Sequence, residues 1–341
     1  MPSAAGPDPA TIHLAASPGG HLDLLQAVAA GRGPRGATWV TVDGPRAEQL
    51  RASAGSRVIA VPWFERRAPL SVVRNVVASI ALAVRHRPAV VVCAGAGGVA
   101  AYTLAARLLG ARLIFVETMA RVADASGTAR VLGRLAEAVV VQWREGSRFH
   151  RRPVVCRPLL LTGIPTDRRP GIGSAAFVGT HSEPFDRLVG AVERAAAGGV
   201  LPGPVRLQAG VAQLASPHVE VEAWLPREEV IRRMAEAEIV VVHGGAGMIS
   251  SALHAGRRPI VMCRLRRHGE HVDDHQLQLA TKLAEVGLAV VVEDTITEAD
   301  VERARAPIVV PPDLAALPAV DDVVAELVSR ETGAGGPGPP S

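Results

Sequence analysis

Residues 240–250 read Val-Val-Val-His-Gly-Gly-Ala-Gly-Met-Ile-Ser, an apolar run that ends in a glycine-rich turn and continues into a helical pattern. A buried strand that passes through glycines into a helix presents backbone N–H groups to a phosphate. Three glycines within four positions exceed what a tight turn needs. The stretch predicts an α/β unit with a phosphate-binding loop, whose predicted binding residues are His243, Gly244, Gly245, Ala246, Gly247 and Met248.

The same alternation of short β-branched runs and helical stretches extends along the chain. Predicted strands cover residues 11–17, 37–42, 57–62, 89–95, 112–118, 138–143, 175–180, 205–209, 219–224, 239–244, 259–263 and 289–293. Predicted helices cover residues 21–30, 45–53, 70–86, 98–109, 128–136, 184–196, 226–236, 246–255, 272–286, 297–305 and 311–330. Continuous apolar strands separated by helices are typical of parallel sheets covered on both faces.

A stretch at 164–174 is rich in Pro, Gly and Arg and has no apolar period, which predicts a linker. It separates an N-terminal domain at 1–163 from a C-terminal domain at 175–330, and a flexible tail follows at 331–341. The expected fold class is α/β, with two doubly wound, Rossmann-like parallel-sheet domains. We expect them to face each other across a cleft formed at the carboxyl ends of their strands.

Composition excludes several function classes. The chain has 341 residues, of which 48% are hydrophobic, so wholesale disorder is excluded. Aromatic residues make up 3%, too few for the stacking that single-stranded nucleic acid needs, and no nucleic-acid partner is expected. Three widely spaced cysteines form no disulfide framework and fit a reduced compartment. No signal-peptide pattern is found at the N-terminus. A cytoplasmic location is expected, with peripheral attachment to the inner face of the membrane as an open alternative.

The first predicted strand runs into Ser17-Pro18-Gly19-Gly20-His21 and then into a helix. Gly19 and Gly20 allow a close backbone approach, and the helix start carries partial positive charge, which suits a diphosphate or a developing oxyanion. His21 stands where the strand ends and could act as a base near neutral pH. The dinucleotide pattern GxGxxG is absent.

Two further loops of the second half carry polar candidates. Thr180 follows a predicted strand, and its hydroxyl either contacts phosphate or caps the next helix. In the segment 268–276, the residues Glu270, His275 and Gln276 are predicted to bind a sugar or nucleotide. His271 and His275 have metal-ligand spacing, but HExxH and a third ligand are missing, and no Asp-x-Asp pair occurs. We therefore expect no metal and no cofactor.

Several ordered motifs resemble a known family. Residues 89–143 contain CAGAGG, LIFVETMAR, Ser126-Gly127-Thr128 and AVVVQW, which resemble the acceptor-side, membrane-associated subunit of the eukaryotic transferase that adds the second GlcNAc to the dolichol-linked precursor. Residues 176–294 contain FVGT, PFDRLV, VVHGGAGMISSAL and EHVDDHQLQLA, which are similar to its UDP-GlcNAc-binding partner subunit. Here both stand in one chain, acceptor half first, as in GT-B glycosyltransferases such as the lipid II synthase. Bacterial relatives of the two subunits serve exopolysaccharide synthesis.

The resemblance implies an inverting, metal-independent hexosyltransferase of GT-B architecture that uses a UDP-sugar, most simply GlcNAc or a related hexose. The donor diphosphate would lie at Gly244–Gly247 and the sugar near His275 and Gln276. The first domain would bind a polysaccharide or lipid-linked acceptor, with His21 as general base. Glu117 and Arg121 belong to a motif of the acceptor half whose role stays unassigned.

Two departures from the family pattern keep alternatives open. Ser251 stands where the family carries a ribose-binding glutamate, so UDP and TDP both remain candidates, and the membrane helix of the eukaryotic acceptor subunit is missing. Residues 63–87 combine apolar side chains with arginines, which predicts either an interfacial membrane helix or an amphipathic helix packed on the sheet. The alternative functions are transfer to a soluble natural-product acceptor, nucleotide-sugar epimerisation, and a non-catalytic nucleotide-sugar-binding subunit.

Overall fold

A computed structural model describes residues 11–53, 56–65, 68–95, 97–165, 167, 170–181, 183–270 and 275–330, except for the side chain of His275. The chain divides into two compact units. The first unit contains Met1–Thr118, Asp124–Cys156 and Pro318–Ser341, and the second contains Met119–Ala123 and Arg157–Leu317.

Each unit is built on one parallel sheet. The strands of the first unit are β1 (Ile12–Ala16), β2 (Thr38–Val42), β3 (Arg57–Val61), β4 (Val90–Gly95), β5 (Arg112–Val116), β6 (Ala138–Val141) and β7 (Pro153–Val155). Those of the second unit are β8 (Ser174–Phe177), β9 (Val205–Gln208), β10 (Glu220–Glu222), β11 (Ile239–His243), β12 (Ile260–Met262) and β13 (Val290–Val292). The strand orders are β3-β2-β1-β4-β5-β6-β7 and β10-β9-β8-β11-β12-β13. Both are doubly wound, because the order reverses beside the first strand of each unit.

Helices connect the strands. They are α1 (Gly20–Ala30), α2 (Pro45–Ala52), α3 (Pro69–His86), α4 (Ala100–Leu108), α5 (Gly127–Leu135), α6 (Asp186–Ala197), α7 (Arg227–Glu236), α8 (Ala246–His254), α9 (His275–Glu285), α10 (Glu298–Arg305), α11 (Pro312–Ala315) and α12 (Val320–Ser329). Short 3₁₀ turns lie at Gly97–Val99, Arg144–Phe149, Leu159–Leu161 and Arg266–His268. Among the described helices, none combines the length and apolar character needed to cross a bilayer.

The burial of each strand follows its position in the sheet. Every residue of β1 and β4 is buried, as the continuous apolar sequence of a parallel sheet requires. The edge strand β10 is short and polar by contrast, since it is Glu-Val-Glu with both glutamates exposed. The other sheet ends at β7, which begins with a proline that cannot donate a ladder hydrogen bond. Such edges discourage pairing with another chain.

The structure contains every strand that the sequence predicts, with ends displaced by at most three residues. β7 was not predicted, because three residues after two arginines give no readable alternation. The helix predicted over 311–330 is instead two helices, α11 and α12. Pro318 stands between them, where its ring interrupts helical hydrogen bonding.

The C-terminal helix belongs to the first unit, which differs from the predicted domain boundary at 330. The Arg112 guanidinium donates to the carbonyls of Leu327 at 2.7 Å and Val328 at 3.3 Å. The Asp321 carboxylate accepts the backbone N–H of Arg32 at 2.8 Å. These polar contacts, together with the buried apolar face of α12, hold the helix on the first unit. The predicted boundary at 163 also differs, since the second unit takes the chain from Arg157.

A buried histidine lies in the central strand of the first unit. His13, in β1, is 2% exposed, and its Nδ1 is hydrogen-bonded with the Tyr102 hydroxyl at 2.6 Å. Burial, and secondarily the charge of His86, lower the pKa of His13 from 6.5 to about 4. Protonation of this side chain therefore opposes folding.

We expect His13 to make the protein less stable in acid. The His13 side chain binds a proton near pH 6.5 in the unfolded chain and only near pH 4 in the folded chain. The stability that depends on neutral His13 is therefore fully present above pH 6.5 and is lost as the pH falls towards 4. His13→Gln should reduce the drop in unfolding free energy between pH 7 and 4.5 by about 2 kcal/mol. Urea unfolding measures it, with the exposed His218→Gln as control. Equal drops in the wild type and His13→Gln would contradict the assignment.

Candidate functional site

The predicted donor-site residues of the second unit gather where its strand order reverses. β8 and β11 are neighbours in the sheet, and their connections leave in opposite directions. The loop after β8 contains Gly179 and Thr180, and the loop after β11 contains Gly244 and Gly245. Ligands of doubly wound sheets bind at such a switch point.

The start of α8 offers backbone donors at this point. Gly245 caps the helix, and its carbonyl accepts the N–H groups of Met248 at 3.0 Å and Ile249 at 3.1 Å. The N–H groups of Ala246 and Gly247 come before the first residue that finds an acceptor within the helix. Gly247 is exposed, and a Cβ placed on it would meet nothing within 4 Å. The helix start is thus open to an anion.

Of the three glycines in the loop after β11, Gly244 and Gly245 are required by packing, and Gly247 is not. A Cβ on Gly245 would lie 2.4 Å from Nε2 of His243, and a Cβ on Gly179 would lie 2.4 Å from Cε1 of the same ring. A Cβ on Gly244 would lie 2.7 Å from the Cys263 sulfur. The imidazole of His243 therefore fits between the backbones of the two loops. Only Gly247 has the open surroundings that a ligand-facing glycine needs.

Gln276 lies beside the same loop. In the first turn of α9, its Cβ is 3.0 Å and its Oε1 is 3.1 Å from the position of a Cβ on Gly244. Oε1 is buried, and no residue in the described part of the chain hydrogen-bonds to it. It is thus a buried acceptor beside the glycine loop that no described residue satisfies. His275 begins α9, but its side chain, like His271, lies outside the described residues.

Glu270 is held by the protein itself. Its two carboxylate oxygens accept the Arg187 guanidinium at 3.1 and 2.7 Å, and one also accepts the Leu265 N–H at 3.0 Å. Both side chains of the pair are about nine-tenths buried, where an unpaired charge would cost several kcal/mol. Glu270 therefore braces the loop that leads to α9, and the ligand contact expected from the sequence stays a prediction.

A second arginine, which the sequence analysis did not single out, braces the facing loop. Arg264 lies two residues after the end of β12 and is 1% exposed. Its guanidinium donates to the carbonyls of Pro184 at 3.1 Å and Val178 at 3.4 Å, and lies 4.6 Å from the ring centroid of Phe185. Burial lowers the pKa of Arg264. Its position directly after an apolar run is the one sequence signal that could have indicated a buried role.

His21 lies at the corresponding edge of the first sheet. It stands in the first turn of α1, half-buried, and its Cε1 is 3.9 Å from a Cβ placed on Gly95, the last residue of β4. Gly19 caps the helix with a φ of +99°, a conformation that favours glycine, and its carbonyl accepts the N–H groups of Leu22 and Asp23. β1 and β4 flank the reversal of strand order here, so His21 is at the switch point of its own unit.

Glu117, one residue after β5, is a buried carboxylate that interacts electrostatically with His21. It is 2% exposed and accepts the backbone N–H groups of Ser126 at 3.0 Å and Thr118 at 3.1 Å. Burial raises the pKa of Glu117, against the opposing effects of these hydrogen bonds and of His21. The first unit thus supports a histidine with a buried acidic group near it.

Arg121, predicted on the acceptor side together with Glu117, belongs to a different unit. Glu117 belongs to the first unit, whereas Arg121 lies in the segment Met119–Ala123 of the second unit, where it is half-buried. The chain enters the second unit for Met119–Ala123 and returns to the first unit at Asp124, and four residues of separation in sequence cannot reveal such an excursion. Within the described ranges, no cluster of three His, Cys, Asp or Glu side chains is arranged to hold a metal ion.

Two family models match separate parts of the chain. Residues 48–154 match the model described as oligosaccharide biosynthesis protein Alg14 like, and residues 211–306 match the glycosyltransferase family 28 C-terminal domain. Comparison with curated proteins finds no match.

Solved structures show where else this fold occurs. MurG from Acinetobacter baumannii has a TM-score of 0.66 at 19% identity, covering 93% of this chain and 98% of that one. The glycosyltransferase SnogD from Streptomyces nogalater has a TM-score of 0.56 at 17% identity, covering 93% and 98%. UDP-GlcNAc 2-epimerase from Neisseria meningitidis, bound to UDP-GlcNAc, has a TM-score of 0.59 at 9% identity, covering 93% and 98%.

These likenesses confirm the predicted fold class, two parallel-sheet α/β domains of the GT-B type. An Alg14-like segment followed by a family 28 C-terminal segment, on that fold, supports a glycosyltransferase.

Proposed function

We propose that the protein is an inverting glycosyltransferase that moves a hexose, GlcNAc or a relative, from a UDP-sugar to a lipid-linked or polysaccharide acceptor. The observation that carries the proposal is His21 at the switch point of the first sheet with the buried Glu117 near it. The Alg14-like match covers Glu117, and the family 28 match covers the glycine loop of the second unit. UDP-GlcNAc bound to an epimerase of the same fold supports this class of donor.

The proposed donor site uses the open start of α8. The diphosphate lies against the N–H groups of Ala246 and Gly247, where the helix dipole favours negative charge. Gln276 Oε1 accepts a hydrogen bond from a sugar hydroxyl. Backbone donors fixed in place stabilise the charge that develops on the leaving diphosphate, so transfer proceeds without a metal ion.

In the proposed reaction, His21 removes the proton of the acceptor hydroxyl while that oxygen attacks the anomeric carbon. The bond from the anomeric carbon to the diphosphate oxygen breaks, UDP leaves with the electron pair, and the configuration inverts. Glu117 stabilises the imidazolium electrostatically, which makes it a positioning residue. General base catalysis of this kind contributes about 10²–10⁴-fold.

A soluble acceptor is the second candidate for transfer. SnogD, from a Streptomyces species, shares the fold at low identity, and fold alone does not select the acceptor. Epimerisation is less well supported, because the family 28 match is to a glycosyltransferase domain.

The proposal includes attachment to an anionic membrane through α3. Six of the side chains of this helix that face solvent are large and apolar: Leu70 is 86% exposed, and the others are Val73, Val76, Val77, Ile80 and Val84. The buried side chains of α3 are Asn75, Ser79 and Ala83, so its polarity is the reverse of an ordinary amphipathic helix. This arrangement favours the interfacial helix over the alternative packed on the sheet.

Exposed arginines complete the membrane surface. Arg74, Arg85 and Arg87 lie on or directly after α3, while Arg66 and Arg67 lie outside the described residues. Apolar side chains that enter the headgroup region, flanked by cations that attract anionic lipid, form the pattern of interfacial attachment.

Gly247→Asp tests the donor site. A carboxylate at the start of α8 should repel the diphosphate and lower UDP affinity at least ~10-fold, because two negative charges at a helix start weaken binding by kcal/mol amounts. Folding should be unaffected, because a side chain at Gly247 meets nothing within 4 Å. Gly127→Asp, equally open at the start of α5, is the matched control. Calorimetry that finds equal UDP affinity in all three proteins would remove this site. Gly245 is unsuitable, since a side chain there displaces His243.

His21→Ala tests the base. Turnover number should fall at least ~10²-fold with UDP-sugar affinity unchanged, because the lost interaction belongs to the transition state. Glu117→Gln should lower kcat by a smaller factor and leave KM for the donor unchanged, while Glu48→Gln, exposed on α2, changes neither. Wild-type turnover in His21→Ala would place the base elsewhere. A loss of donor binding would make His21 a ligand instead of a base.

Val77→Asp tests the membrane surface. It places a charge in the centre of the exposed face of α3, so co-sedimentation with phosphatidylglycerol vesicles should fall several-fold at low salt. Val131→Asp, on α5, is the control, because Val131 and Val77 are 58% and 61% exposed. Failure of the wild type to sediment with these vesicles would count against attachment.

A further inference from the structure

The first unit contains a cavity of about 230 Å³ that no step of the proposed reaction uses. Trp63, Phe64 and Val42 form an apolar wall. The glycine side of the cavity, which adjoins this wall, consists of Ser17, Pro18, Gly97 and Gly98. The cavity is therefore mostly hydrocarbon, with one hydroxyl among its walls.

This cavity opens at the same sheet edge as His21. Val42 is the last residue of β2, Ser17 follows β1, and the glycine turn follows β4. These three strands are neighbours in the sheet, so the cavity lies at their carboxyl ends, where doubly wound sheets bind ligands. Ser17 also lies four residues before His21 in the sequence, at the start of the segment that leads into α1.

The Ser17 hydroxyl is buried beside the cavity. Ser17 is 9% exposed, and its Oγ has no hydrogen-bond partner in the described part of the chain. Oγ lies 2.8 Å from the position of a Cβ on Gly98, so it faces the glycine side of the cavity. A buried hydroxyl without a partner is costly, and an oxygen of a bound molecule would satisfy it.

Asn75 holds the two sides of the cavity in place. It is 2% exposed on the inner face of α3, and its amide donates to the Pro62 carbonyl at 2.6 Å and the Gly98 carbonyl at 3.2 Å. Pro62 precedes Trp63, and Gly98 lines the other side. A single amide thus fixes the spacing of both sides from the helix, which prepares the cavity before a ligand arrives.

We propose that this cavity binds the apolar group next to the reacting end of the acceptor, with Ser17 Oγ hydrogen-bonded to the nearest acceptor oxygen. The inference rests on the proposed function, since the cavity gains this meaning from its place beside His21. The shared chemistry of the occupant is a short hydrocarbon segment that carries an oxygen group at one end. That segment comes from the prenyl chain of a lipid phosphate or from the ring of a soluble aglycone.

The size and surroundings of the cavity support this occupant. A volume of about 230 Å³ holds a short segment and not a whole lipid chain. Trp63 is 57% exposed, and it stands six residues before the start of α3. The remainder of a prenyl chain could leave past this side chain towards the apolar face of that helix.

The test measures the binding of two probes to the full chain by calorimetry. Farnesyl phosphate represents the prenyl source and 1-naphthyl β-N-acetylglucosaminide the aglycone source. Trp63→Ala should lower the affinity of the probe that binds at least ~10-fold, because it removes most of one apolar wall. Ser17→Ala should lower it by about threefold to tenfold through loss of one hydrogen bond. Trp224→Ala is the matched control, since Trp224 is 51% exposed and belongs to the second unit.

The outcomes separate this inference from the proposed function. Trp63-dependent binding of either probe supports the cavity, and the probe that binds identifies the source of the hydrocarbon. Equal affinity in the wild type and Trp63→Ala overturns the inference, as does the absence of probe binding to a protein that still binds UDP. A protein that binds no nucleotide sugar overturns the proposed function instead, whatever the probes do.

Discussion

The structure depends on the burial of its central parallel strands on both faces. β1 and β4 in the first unit, and β8 with most of β11 in the second, have no solvent-facing side. Side chains within these strands are committed to the core, so chemistry can be carried only by the loops at their ends. At a reversal of strand order two such loops diverge and leave space for a ligand. His21 in one unit and Gly247 in the other lie at these points for the same reason.

Loops at a switch point must be held in place without filling the space for a ligand. The second unit does this with an imidazole between glycine backbones and with two buried arginines. Arg187 reaches from α6 to Glu270, and Arg264 reaches back from the end of β12 to the loop after β8. Arg187 thus fixes the loop that contains Arg264, and Arg264 fixes the loop that leads to α6. Because Arg187 and Glu270 are both buried, the loss of either partner leaves an uncompensated charge and loosens the site.

Much of the fold could be predicted from the sequence, because buried parallel strands leave a strong local signal. Runs such as Val90–Gly95 are apolar without interruption and are bounded by turn residues. β7 and the return of α12 to the first unit left no such signal. The former is three residues long, and the latter depends on contacts such as Arg112 with Leu327, separated by 215 positions.

The candidate site could be predicted in its positions more than in its roles. The glycine loops and His21 follow strand ends, as their neighbours in sequence indicated, and Gln276 lies beside one of these loops from the first turn of α9. Glu270 differs, because a carboxylate in a polar loop looks the same whether it faces a sugar or an arginine 83 residues away. The glycines were ambiguous in the same way: their sequence does not show that His243, and not a phosphate, requires the absence of a side chain at Gly245.

The two faces of α3 link the proposed membrane surface to the acceptor cavity. Its fully buried residues are small or polar, and of its large apolar side chains only Val72 and Leu82 are half-buried. Most of its valine, leucine and isoleucine side chains are on the outside instead, so packing this helix on the first unit gains limited hydrophobic free energy. Such a distribution is unfavourable in water alone and becomes favourable when an apolar phase covers the outer face. The inner face can then serve a different purpose, and Asn75 uses it to hold the sides of the cavity. In the proposed function, one helix would thus combine contact with an apolar phase and support of the cavity where an apolar acceptor would enter.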